Sequence, residues 1–238
     1  MDFETVIRTF PILLIGAAVT LGITVVAVTN GCIIGLFAGL ARLSRNRLLS
    51  FLATCYVDFF RGTPLLVQIF IVYFGIPYLL DLFQKYLTAR YGIPPFFEST
   101  AIAKLWAAVI ACSLNSGAYV AEIFRAGVQS IERGQMEAAR SLGMTHVQAM
   151  RYVILPQAFR RIIPPLGNEF IAMLKDTSLL SVIGFEELAR RGTLIVGETF
   201  AVFEIYMTVA LLYLIMTLSF SRLVDYAERR LKTRDRSY

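Results

Sequence analysis

From Phe10 to Ala41 the chain carries no charged residue. As helix, such a run reaches about 48 Å, well past the ~30 Å hydrocarbon core of a bilayer. No soluble domain needs an uncharged segment of that length, so the first constraint is a membrane. The rest of the sequence repeats the theme. With 57% hydrophobic residues and a mean hydropathy of +0.64, it is more apolar than soluble domains are. Apolar runs predict spans at about 10–41, 49–83, 102–124, 162–184 and 202–220. Short loops join them. The expectation is one all-α membrane domain over 1–238 with five transmembrane helices.

A net charge of +6 suggests nucleic acid or, more plainly, the excess of cytoplasmic Lys and Arg in membrane proteins. Counting separates these. Fifteen basic residues fall on one side of the proposed spans: Arg42, Arg45 and Arg47, then Arg125 to Arg161, then Arg222 to Arg236. Six fall on the other: Arg8, Lys85, Arg90, Lys104, Arg190 and Arg191. The asymmetry puts the C-terminus and the polar centre of the chain in the cytoplasm and the N-terminus outside. The basic tail then meets anionic lipid headgroups.

Cys32, Cys55 and Cys112 lie far apart in apolar segments without a CxxC pair, so buried thiols are expected rather than a metal site or disulfide framework. The opening MDFETVIRTF is acidic and then mixed, and the apolar run behind it is too long for a signal peptide. Residues 3–9 read either as a short interfacial helix, with Phe3, Val6, Ile7 and Phe10 on one face, or as a frayed end.

Polar residues inside the apolar runs are the candidates for function. Gly31, Gly35 and Gly39 recur every fourth residue, which lets another helix come close and implies packing alone. The second run is interrupted by Asp58, Arg61, Gly62, Thr63 and Pro64. Asp58 and Arg61 stand i,i+3 and can pair, while Pro64 permits a kink. This reads as a bent helix lining a pathway or as an interfacial ion pair beside a packing kink. In the third span Asn115 and Glu122 are two turns apart on one face. Asn115 is expected at a cavity. Glu122 could meet a substrate ammonium, but a salt bridge to Arg125 or Arg61 is favoured. The fourth span contains Glu169, Lys175 and Asp176, too polar to face lipid. Residues 185–201 read as an outer surface helix that meets a soluble partner or as a solvated loop.

The longest polar interval is Glu132 to Pro156. Good helix formers at Glu137, Ala138 and Ala139 are followed by a stop at Gly143 and a cap at Thr145. The second helix should end near Leu155, with Pro156 marking a bend. Alone, AARSLGMTHVQAMR resembles a DNA-binding helix-turn-helix, but such a reader has no place between membrane spans. The other resemblance is sharper. Glu137-Ala138-Ala139, three residues, Gly143, nine residues and then Val153-Ile154-Leu155-Pro156 resembles the EAA loop of ATP-binding-cassette importer permeases, with Val153 in place of the isoleucine. Arg61-Gly62-Thr63-Pro64-Leu65, Leu114 to Tyr119 and Leu174 to Leu179 resemble the polar amino-acid branch of that family, over about residues 12–226.

The resemblance implies a type I importer permease fold in the inner membrane of a bacterium. It implies a dimer, with an identical or a related copy, around a central pathway for a polar, basic or neutral, amino acid. ATPase subunits would bind ATP and Mg below, and an extracytoplasmic solute-binding protein would deliver the solute above. Gln135, Glu137, Ala138, Ala139, Arg140 and Gly143 would form the loop (131–156) that couples to the ATPase. Asn115 and Glu122 become candidate substrate contacts, with Asp58, Arg61, Glu169 and Asp176 weaker ones. Lys175 is a counter-ion. The chain holds no GxxxxGK[ST] pattern, so it is not expected to be an enzyme or to need a cofactor of its own. The lone His146 reads as a surface residue. The competing class is an ion-gradient-driven secondary transporter working through the buried carboxylates.

Overall fold

A computed structural model describes residues 3–44, 46–97 and 101–233. Arg45, Arg234 and Arg236 of the basic tally lie outside the described residues, as do residues 98–100 of the outer loop. Every regular element among the described residues is a helix, and none of them is a strand.

Helix α1 (Phe3–Arg42) is one continuous rod, so the first residues extend the first span rather than forming a separate interfacial helix. Pro11 sits early enough in it not to end it. Helix α2 (Arg47–Gly62) starts on an Asn46 cap, whose side chain accepts from the Leu48 and Leu49 N–H groups. The chain then breaks at Thr63 and Pro64, where both residues are extended, and resumes as α3 (Leu65–Phe70) and α4 (Ile76–Tyr91). The interval read as one bent span is thus two helical segments. After α5 (Lys104–Gln129) come α6 (Arg133–Ser141), α7 (His146–Ala149), α8 (Leu155–Asp176), α9 (Leu188–Thr199) and α10 (Val202–Thr233).

Two π-helical turns, Ile71–Gly75 and Met150–Ile154, end two residues before Pro77 and Pro156. A proline lacks the N–H for the carbonyl four residues back and its ring crowds that carbonyl. A π turn widens the ladder there, so the helix runs on. The expected bend at Pro156 is therefore replaced by continuation into α8.

By length and composition, four helices among the described residues can cross a membrane: Glu4–Arg42, Leu65–Tyr91, Lys104–Gln129 and Val202–Arg230. Helix α8 is not one of these four. Its Arg160, Arg161, Glu169, Lys175 and Asp176 lower its hydropathy, and its apolar stripe turns inward through Ala158, Ile162, Met173 and Leu174.

Helices α1 and α5 make the central seam. A Cβ added to Gly31 would lie 2.8 Å from the Ser116 Cβ, and one on Gly35 would lie 2.6 Å from the Val120 Cβ. The glycine stripe therefore does what its spacing suggests: it brings the two backbones together. Around this seam, one apolar cluster joins α1, α3 and α5 to Met173, Leu180 and Ile183. A second joins α1 to α9 and α10 through Leu13, Leu188, Ile205 and Val209. A third, built on Ile131, Ile154, Ala158 and Ile162, anchors the α6–α7 hairpin under α5.

Candidate functional site

Two places collect the polar residues singled out in the sequence. The first is a cleft of about 400 Å³ between α2, α5 and α8, lined by Arg61, Tyr119, Glu122, Ile123, Ser130, Arg161 and Pro165 among others. Glu122 organises it. Its carboxylate accepts from Arg42 Nη1 at 2.8 Å and from Arg125 Nε at 3.1 Å, with a second bond from Arg125 Nη2, and lies 3.7 Å from Arg61 Nη1. One carboxylate thus holds the end of α1, the end of α2 and its own helix. The favoured salt bridge to Arg125 is present, and Arg42 joins it. Arg61 also stands over the Tyr119 ring, 5.6 Å from its centre. Three guanidinium groups against one carboxylate leave the cluster positive.

Asp58 does not join it. Its side chain is exposed and, among the described residues, no ion pair connects it to Arg61, which turns to Glu122 instead. Asn115 is 5% exposed. Its amide donates to Gln68 Oε1 at 2.9 Å and reaches the Phe60 carbonyl at 3.5 Å. Where a cavity face was expected, Asn115 makes a helix-to-helix contact. Glu169 and Asp176 lie on α8, both half-buried, and each carboxylate is within electrostatic reach of the other. Across from them are Cys32 on α1 and Cys112 on α5. The Ser116 hydroxyl is buried beneath Gly31 and faces the Glu169 carboxylate. Cys55 is exposed, against the expectation of burial.

The second place is the α6–α7 hairpin. Gly143 takes φ of +83°, a conformation that side chains resist, and closes α6. Thr145 and Gln148 then form a reciprocal capping box: Gln148 N–H donates to Thr145 Oγ1 at 3.2 Å, and Thr145 N–H donates to Gln148 Oε1 at 2.8 Å. Arg140 Nη1 donates to the Met144 carbonyl at 2.9 Å, tying the turn from within. Gln135 is held by Gln157 Nε2 at 3.2 Å. Ala139 is buried, whereas Glu137, Ala138, Arg140 and Gly143 are exposed. Leu142 is 84% exposed and Val147 73% exposed, so a rigid hairpin offers apolar side chains outward.

A chain with this fold and hairpin is matched over residues 31–233 by the family model for the binding-protein-dependent transport system inner membrane component. The chain belongs to that family. The match takes in both the cleft and the hairpin. The glutamine transport system permease protein GlnP of Escherichia coli strain K12 is 40% identical over 231 residues, 97% of this chain and 98% of the relative. The arginine transport system permease protein ArtQ of Bacillus subtilis is 38% identical over 235 residues, 99% of each. The crystal structure of an amino acid ABC transporter with histidines superposes with a TM-score of 0.84 at 43% identity, covering 97% of this chain and 99% of that one. The inward-facing MetNI methionine ABC transporter, at 21% identity and a TM-score of 0.71, shows the fold alone.

Three residues of this inner-membrane component escaped the sequence reading. Gln68 is 2% exposed and bonded on all sides at the α2–α3 break. Its signal was a glutamine in an otherwise apolar hexapeptide just after a proline. Arg42 was counted only as a loop charge. Glu187 was assigned to a surface helix or solvated loop, yet it is fully buried. It caps α9, accepting from the Ala189 and Arg190 N–H groups at 2.8 and 2.7 Å and from the Tyr213 hydroxyl at 2.8 Å. It stands beside Glu186 and shortly before Arg190 and Arg191, so nothing local marked it.

Proposed function

We propose that this chain is the transmembrane subunit of an ATP-driven importer of polar amino acids in a bacterial inner membrane. The observation that carries the proposal is the α6–α7 hairpin. It is held by Gly143, a capping box and an apolar anchor, yet it presents Leu142 and Val147 to the outside. A self-sufficient transporter has no need of a rigid, outward apolar knob. A permease that receives work from a separate ATPase does. The relatives named for glutamine and arginine transport support an amino acid as the solute.

In this reading five segments cross the membrane, α8 being the polar one, with the N-terminus outside and the hairpin in the cytoplasm. Two permease copies, identical or related, enclose the pathway. The ATPase subunits bind ATP and Mg. When they close, they draw the two hairpins together and the helices rock to open outward. An extracytoplasmic solute-binding protein then releases the amino acid towards the cleft around Arg61, Tyr119 and Glu122, with Glu169 and Asp176 further along α8. The excess of guanidinium groups at the cleft suits a carboxylate, and the acidic pair on α8 suits an ammonium.

The test is uptake by vesicles holding permease, ATPase and binding protein. Vanadate inside the vesicles should abolish uptake, and ionophores that collapse ion gradients should leave it intact. The reverse pattern would establish a gradient-driven transporter instead.

A further inference from the structure

Pro64 leaves the Phe60 carbonyl without its helical N–H partner. A buried carbonyl left so costs about 1–3 kcal/mol. The structure shows what replaces the missing donor. Gln68 Nε2 donates to the Phe60 carbonyl at 2.8 Å, and stands 3.0 Å from the Thr63 carbonyl and 2.9 Å from Thr63 Oγ1. Asn115 Nδ2 holds the far end of the same amide at 2.9 Å and approaches the Phe60 carbonyl at 3.5 Å. Two buried amides, one on α3 and one on α5, therefore staple the end of α2 to α5. Arg61 is the residue directly inside this staple. It is 40% exposed in its side chain, with its guanidinium over Tyr119 and 3.7 Å from Glu122.

We infer that Gln68, together with Asn115, is a positioning residue: it fixes the Gly62–Pro64 break against α5 and so holds Arg61 in the cleft. The inference rests on the reading of that cleft as part of the transport path. Among the described residues, no other hydrogen bond ties the Phe60 and Thr63 carbonyls to α5. The Tyr56 hydroxyl already ties α2 to the Leu114 carbonyl of α5 at 2.7 Å, so what the staple holds is the last turn of α2 and the Gly62–Pro64 break. Without it, that turn loses its tie through the Phe60 carbonyl. Arg61 then loses its register on Tyr119 and Glu122.

The experiment is a double-mutant cycle in the full complex, with uptake normalised to assembled complex. Gln68→Leu keeps the size and removes every bond. Gln68→Glu keeps the acceptor for Asn115 and loses the donors. Both are expected to lower uptake about tenfold in the native background, equivalent to ~1.4 kcal/mol. In an Arg61→Ala background the same changes should cost less than twofold, because the residue they position is gone. Equal losses in both backgrounds would overturn the inference, as would a loss explained wholly by poorer assembly. If Arg61→Ala leaves uptake of the native complex untouched, Arg61 is not in the path and the inference fails while the transport reading stands. A second readout needs no transport. Spin labels at Asp58 and Ile110, with the native cysteines replaced by alanine, should show the α2–α5 distance broadening on Gln68→Leu. An unchanged, narrow distribution would show that the staple does not hold the break.

Discussion

At the scale of single residues, what matters most is which positions permit close approach and which satisfy buried polar groups. Gly35 illustrates the first. A valine there would drive its Cβ to within 2.6 Å of the Val120 Cβ in the middle of the α1–α5 seam. We expect Gly35→Val to cost at least ~1–3 kcal/mol, seen as a lower melting temperature of the purified complex. Gly22, which has nothing within 4 Å, is the control, since Gly22→Ala should leave the melting temperature nearly unchanged. Glu187 illustrates the second. Removing its carboxylate orphans two backbone N–H groups of α9 and the Tyr213 hydroxyl. Glu187→Ala should therefore destabilise by about 3 kcal/mol or more, measured as loss of folded protein on heating in detergent. Glu187→Gln, which keeps an acceptor oxygen, should lose less. The glycine stripe was legible because a four-residue repeat is a local signal. Glu187 was not, because its partners come from other helices: the Tyr213 hydroxyl on α10 and Thr20 on α1, whose hydroxyl also accepts from the Leu188 N–H.

Among elements, the prolines decide more than their positions alone suggest. Pro64 breaks a helix, whereas Pro77 and Pro156, each behind a π turn, do not, and neither do Pro164 and Pro165 inside α8. A sequence rule that treats every proline as a stop therefore ends one helix correctly and another wrongly at Leu155. The cap at Thr145 and the stop at Gly143 were legible, since both depend on backbone preferences of the residues themselves. Gly143 yields a clean test. Its site is open, so a substituted side chain meets no neighbour and only the φ of +83° resists it. Gly143→Val should therefore strain the hairpin by about 1–3 kcal/mol, lowering ATPase stimulation in the assembled complex without disturbing the helices as judged by circular dichroism. Gly134→Ala, equally open but with ordinary φ, should leave stimulation near the native level.

Taken whole, the molecule is a helical frame with two working ends: a cationic cleft between α2, α5 and α8, and an apolar-tipped hairpin anchored under α5. The frame was largely readable from apolar runs. The identity of the cleft was not, because Arg42, Arg61, Glu122 and Arg161 meet only when α1, α2, α5 and α8 pack, and because a charge near a span end looks like any loop charge. The central claim is that the hairpin transmits work between a separate ATPase and this frame. Its most direct test is ATPase turnover in vesicles reconstituted with this chain, its ATPase partner and a solute-binding protein, with polar amino acids added one at a time. The account predicts that a loaded binding protein raises turnover several-fold and that Gly143→Val removes most of the rise. Turnover indifferent to this chain and to the loaded binding protein would contradict it.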